Sequence, residues 1–223
     1  MLSIHSQGLP LPSFYDEQQI ARVWDIQYCA RARDAKLWAA DYDIQPSLSD
    51  QTKIGLLLID VQNAFCIPDF DLFVSGASGM AAVEDNQRLC SFIYRHLDMI
   101  TDTFALLNTH LMYQQLYPSS LHKPFCDVSN NEKLESSNVR QENKGNRYGI
   151  EIDEDVCSMV QWPYSGLLAG EGHSLVSSVE EALFFHSMVR QNSTYFSIKG
   201  DVKNVLKDRK MGLFHFVPWI EKY

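Results

Sequence analysis

The sequence predicts an α/β layered fold with a mostly parallel sheet and right-handed crossovers. Two observations carry that expectation. Short apolar runs, IGLLLID at 54–60, TFALLNT at 103–109 and YFSIKG at 195–200, read as strands. Between them lie segments whose apolar residues recur at three- and four-residue steps, the period of a helix packed on one side. Composition agrees: 223 residues, 45% hydrophobic and 21% charged, is ordinary globular material, enough for one sizeable domain.

The first helix is expected over 16–40, where Ile20, Val23, Trp24, Tyr28, Ala35 and Trp38 share a face. Ser13, followed three residues on by Asp16, supplies a capping signal. Residues 54–60 follow as a strand apolar on both faces, which belongs in a buried parallel sheet. The spacing of Val83, Leu89, Phe92, Ile93 and Leu97 predicts a helix over 81–98, and a second buried strand covers 103–109. SMVQWPY at 158–164 is a shorter strand candidate. Leu175, Val179, Ala182, Leu183 and Phe185 mark a helix over 174–191, before a last strand at 195–200. Residues 127–147 are polar and lack aromatics, so they read as an exposed loop or insertion. The final stretch passes from DVKNVLKDRK to the apolar MGLFHFVPWIEKY and does not resemble another strand-helix unit.

Charge and composition remove several function classes. A net charge of -9, from 28 acidic and 19 basic side chains without a basic cluster, repels phosphate backbones, so no nucleic-acid partner is expected. No apolar run approaches the roughly 20 residues that cross a bilayer. The amino end lacks a basic region followed by an apolar core, so it does not read as a secretory signal. The cysteines at 29, 66, 90, 126 and 157 have no CxxC spacing, which fits reduced thiols and a cytoplasmic protein.

Ligands of open parallel sheets bind beyond the carboxyl ends of the strands. Asp60, His110 and Lys199 each stand at such an end, with Asn108 on the same strand face as His110. A half-buried Asp60 suits general-base work. His110 with Asn108 suits a metal or a substrate carbonyl, and Lys199 suits an acid or a developing negative charge. Singly, each reads first as a plain polar strand end; three ending three strands point together to one cleft. Cys66, six residues after Asp60, comes near that cleft, although a free cysteine is usually a small buried apolar residue. His122 and Cys126 are too few ligands for a zinc site, and His173 and His186 read as packing or capping residues. No phosphate-cradling glycine loop and no serine-nucleophile elbow is present.

Four segments in order carry a family resemblance. IGLLLIDVQNAF at 54–65 resembles the strand and catalytic-aspartate motif of the isochorismatase-like cysteine hydrolases, the superfamily that includes nicotinamidases. NTH at 108–110 resembles their second-strand motif, WPYSGLLAGEGHSLVSSVEEALFFHSMVR at 162–190 their WPxH segment, in a longer branch, and IKG at 198–200 their lysine motif. The resemblance spans roughly residues 10–200. It implies a three-layer α/β/α, Rossmann-like architecture and an Asp-Lys-Cys triad with a thiol nucleophile. It makes Asp60 the base and Lys199 the triad lysine. It also implies hydrolysis of a small amide or vinyl ether, such as nicotinamide or isochorismate.

The departures are equally specific. The family's nucleophilic cysteine lies beyond the lysine, and none of the 24 residues after Lys199 is a cysteine. The sheet is accordingly expected to lack its last strands, through a shifted or prematurely closed reading frame or in a retained, catalytically dead subunit. Asn108, Tyr117 and Ser165 stand where metal-binding members carry ligands, so no metal or other cofactor is expected. Cys66 is the one substitute near the cleft, but it lacks the helix amino end that activates such a thiol. Phe65 and Trp162 are expected as cleft walls, and as plain core aromatics otherwise. The chain divides into a helical extension at 1–50, a partial isochorismatase-like domain at 51–200 and a divergent tail at 201–223. The expected function is that of a hydrolase by descent, inactive for want of its nucleophile. The alternative is a non-catalytic binding or assembly module, and an active hydrolase using Cys66 or a partner chain's cysteine ranks last. Expected partners are a small-molecule substrate if active, and a second copy or another protein covering the open sheet edge.

Overall fold

The computed structural model describes residues 8–70, 72–111 and 165–199. The strand expected at 158–164, the insertion at 127–147, Trp162, Tyr117 and the tail at 201–223 lie outside them. Four helices, α1 (Tyr28–Asp41), α2 (Asn63–Cys66), α3 (Ala81–Arg95) and α4 (Ser177–Arg190), accompany three strands, β1 (Gly55–Ile59), β2 (Asp102–Asn108) and β3 (Tyr195–Lys199). The strands form one sheet in the order β1-β2-β3, and both pairings are parallel. The mixed α/β expectation therefore holds, and the three strands fall where the apolar runs put them.

Register and alternation sort the strand residues onto two faces. Leu58 and Ala105 point into the core, with Leu56 and Leu107 beside them. There they meet Cys90, Ile93 and Tyr94 of α3 and Val179, Leu183 and Phe185 of α4. On the opposite face Leu57 and Ile59 keep 41% and 51% of their surface exposed. The sequence pattern predicts β1 buried on both faces. Among the described residues, the helices that share the core with β1 do so through its Leu56 and Leu58 face. On β3, Phe196 and Ile198 are also exposed.

The first helix differs from its expected span. Residues 17–19 form a 3-10 turn capped by Asp16, whose carboxylate accepts from the Gln18 N–H at 2.9 Å, and α1 starts only at Tyr28. Between them, the Trp24 backbone is held by Ser177, whose Oγ accepts from its N–H at 3.0 Å and donates to its carbonyl at 3.2 Å. Ile20 and Ile26 are buried in this irregular stretch. Tertiary bonds and burial thus override the apparent helical period, while the Ala- and Arg-rich run after Tyr28 has the propensity to stay helical.

α4 is buried on nearly all sides and packs against both α1 and α3. Its last turn carries a polar cluster. Arg190, 1% exposed, pairs with Asp50 and donates from Nη1 to the Gln45 carbonyl and from Nε to the Ile100 carbonyl at 3.3 Å. His186 Nε2 lies 3.0 Å from the same Ile100 oxygen. These bonds tie the segment before β1 and the loop before β2 to one helix, so residues 8–50 share the core rather than standing apart from it. α4 stops at Gln191, which adopts a left-handed cap at φ 54°.

Candidate functional site

The carboxyl ends of the three parallel strands bring together two of the residues singled out from the sequence. Asp60 follows β1, Lys199 ends β3, and β2 runs between them. Lys199 Nζ lies 2.5 Å from Asp60 Oδ2, although 139 residues separate them. The pair is open to solvent, the two side chains being 25% and 32% exposed. The other carboxylate oxygen, Asp60 Oδ1, is buried and has no hydrogen-bond partner among the described residues. Asp60 itself sits at φ 58°, a left-handed conformation that costs a non-glycine residue about 1 kcal/mol or more. Its N–H donates to the Leu106 carbonyl at 3.0 Å and its carbonyl accepts from Gln62 N–H at 2.8 Å, which hold the turn in place. Backbone strain fixed by its surroundings is a feature of functional sites.

Gln62 is the main support of this edge. It is fully buried. Its Nε2 donates to the Asn108 carbonyl at 3.0 Å and the His173 carbonyl at 2.8 Å, and its Oε1 accepts from Asn108 N–H at 2.7 Å. One side chain thus clamps the end of β2 and the segment before α4 onto the turn after β1. Asn63 extends the clamp: its N–H donates to Ser174 O, and its Nδ2 donates to Glu171 O at 2.9 Å. Gln62 also forms an antiparallel bridge with Leu175. Neither amide was singled out from sequence. The available signal was two polar residues set between Asp60 and the apolar Ala64–Phe65, which forces the question of what satisfies them.

His110 lies past the end of β2, in a parallel bridge with Leu167; its N–H donates to Gly166 O at 3.0 Å and its carbonyl accepts from Leu168 N–H at 2.8 Å. Gly166 beside it takes a left-handed φ of 55°, a conformation that favours glycine. His173 Nε2 is 2.7 Å from Thr109 Oγ1, and its pKa is lowered by burial and further by His110. Phe65, on α2, is half-buried and packs against the core.

Among the described residues no thiol completes the pair. Cys66 Sγ lies 4.0 Å from the carbonyl of Asp60, against its backbone rather than its carboxylate. Burial pushes the Cys66 thiol up, and contacts with Asn86 and the Gln62 backbone offset this only in part. Cys90 is fully buried and pushed to about 12 by desolvation. Cys29 is exposed on α1. An activated thiol is the thiolate at neutral pH, and burial works the other way. Asn108 and Ser165 carry neutral side-chain oxygens, which are weak ligands for a divalent ion. No group of three or more His, Cys, Asp and Glu with metal-binding geometry occurs among the described residues. Among them, no helix is long and apolar enough to cross a membrane.

No family model, no curated protein and no solved structure matches this chain.

Proposed function

We propose that the chain carries an isochorismatase-like cleft that binds a small amide or related carbonyl compound without turning it over. The observation that carries this reading is the Asp60–Lys199 pair, with Asp60 Oδ1 left without a partner among the described residues. A carboxamide presents both complements at once, an N–H for Oδ1 and a carbonyl oxygen for Lys199 Nζ. Buried acceptors without donors are costly, so a ligand N–H gains at this position. On this reading the three described strands are part of the middle layer of a three-layer α/β/α architecture, and Asp60 and Lys199 are two members of the Asp-Lys-Cys triad. His110 and Phe65 belong to the cleft, with Trp162 as a further wall. The raised Cys66 thiol supports binding without hydrolysis. The setting proposed is cytoplasmic.

The test is hydrolysis of a panel of small amides and vinyl ethers by the full chain, before and after iodoacetamide. The expected result is no turnover above buffer. Turnover that is abolished by alkylation and by Asp60→Ala would overturn the non-catalytic part and reinstate a working cysteine hydrolase.

A second reading, an assembly module, has its own observation: Leu57, Ile59, Phe196 and Ile198 leave both the open face and the β3 strand apolar and exposed. Such a strand is a template for a second copy or another protein. Sedimentation of the chain across a concentration series distinguishes it, a concentration-independent monomer counting against self-assembly.

A further inference from the structure

Away from the Asp60–Lys199 pair, the segment before α1 and the first turns of α4 enclose a cleft of about 290 Å³. Its described walls include Phe14, Tyr15 and Trp24, the carboxylates of Asp16 and Glu181, and Ser178. No basic side chain is among the described lining residues. We propose that this cleft binds a small organic ammonium ion.

Three independent features point to that ligand class. The first is charge. Among the described residues, Arg31 is the cation paired to the wall of this cleft, and two acids share it: its Nη1 lies 3.1 Å from Asp34 and its Nε 3.4 Å from Glu181. Neither contact has hydrogen-bond geometry, since both nitrogens lack a bonded partner. One guanidinium between two carboxylates leaves negative charge in surplus, and Asp16 adds to it. The second feature is the aromatic lining. The Phe14 face is already occupied by Arg31, whose guanidinium carbon sits 3.8 Å from the ring centroid. That contact displays the cation-binding use of the cluster, and Tyr15 and Trp24 provide further aromatic wall for a ligand. The third feature is Ser178, 4% exposed, whose Oγ lacks a hydrogen-bond partner among the described residues. A hydroxyl of this kind gains from a ligand hydroxyl or ammonium N–H. The helix dipole at the start of α4 favours anions, but Glu180 in the first turn already answers it there.

The volume bounds the ligand. Pockets for drug-sized molecules run from roughly 300 to 1,000 Å³, and this one lies at the lower end of that range, which suits a small ion. The cleft shares no residue with the Asp60 site, and the inference stands whether or not that site binds amides.

Choline serves as the probe, with 3,3-dimethyl-1-butanol as its uncharged counterpart of the same shape. Calorimetric titration of both into the full chain at fixed ionic strength is expected to give saturable choline binding about tenfold tighter than the neutral alcohol, the size of a cation–aromatic contact. Asp16→Asn, at an exposed position that caps only a short turn, should weaken choline several-fold, and Trp24→Leu should weaken it further. Equal binding of the two probes, absence of choline binding, or choline affinity unchanged in both variants would overturn the proposal. Circular dichroism of the variants separates loss of the site from loss of the fold.

Discussion

His186 should make the folding stability fall in mildly acidic solution. The imidazole is 1% exposed, near the end of α4. Burial lowers its pKa from 6.5 to about 4; the Ile100 carbonyl opposes this, Arg190 adds to it, and Asp102 and Asp50 oppose it. The folded value lies below the unfolded one, so the unfolded chain takes up the proton first. Stability is therefore complete above pH 6.5, declines as pH falls and levels off below about 4. At 1.36 kcal/mol per unit the full loss is about 3 kcal/mol, and about 2 kcal/mol has gone by pH 5. Burial of His173 acts in the same direction and belongs to the background. The informative comparison is His186→Leu. Leucine removes a buried Nδ1 that has no partner among the described residues, and Arg190 Nε still donates to Ile100 O. At pH 7.5 the variant should lie within about 1 kcal/mol of the parent. At pH 5 it should be the more stable by about 1–3 kcal/mol. Urea unfolding followed by circular dichroism from pH 7.5 to 5 measures both. Parallel stability–pH curves for parent and variant would refute the assignment of this slope to His186.

Three further outcomes are expected. Gln62→Leu leaves the Asn108 N–H and the Asn108 and His173 carbonyls without their partner, and should cost about 3 kcal/mol or more in urea unfolding. Asp60→Gly relieves a left-handed backbone worth about 1 kcal/mol while losing a half-exposed ion pair worth about 0–1 kcal/mol, so stability should stay within about 1 kcal/mol of the parent. With iodoacetamide at neutral pH, peptide mass mapping should find Cys29 modified well before Cys66 and Cys90, since it alone of the three is exposed; prompt labelling of Cys66 would contradict its buried, raised thiol.

The strands were legible because β1, β2 and β3 are short apolar runs with polar residues at their ends, a pattern set by burial. Asp60 and Lys199 were legible for the same reason: parallel strands point their carboxyl ends to one edge, whatever their distance in sequence. What sequence could not supply were contacts made by single side chains. Nothing local reveals that Ser177 holds Trp24 in a non-helical path, so the periodic run from Ile20 read as helix. Nor does Gln62 announce that it clamps β2 and the segment before α4, because any polar residue near a strand end looks solvated until its partners are seen. The apolar pattern of β1 also overstated burial, since Leu57 and Ile59 face no helix among the described residues that share the core.

The most direct test of the central claim is saturation-transfer NMR of nicotinamide with the parent chain and with Asp60→Gly, sample integrals being followed over hours. The account predicts transfer to the carboxamide-bearing ring with the parent, its loss in the variant at unchanged stability, and constant nicotinamide throughout. Equal transfer in both proteins would mean that the Asp60–Lys199 pair does not bind the amide, and release of the free acid would mean that the chain hydrolyses it.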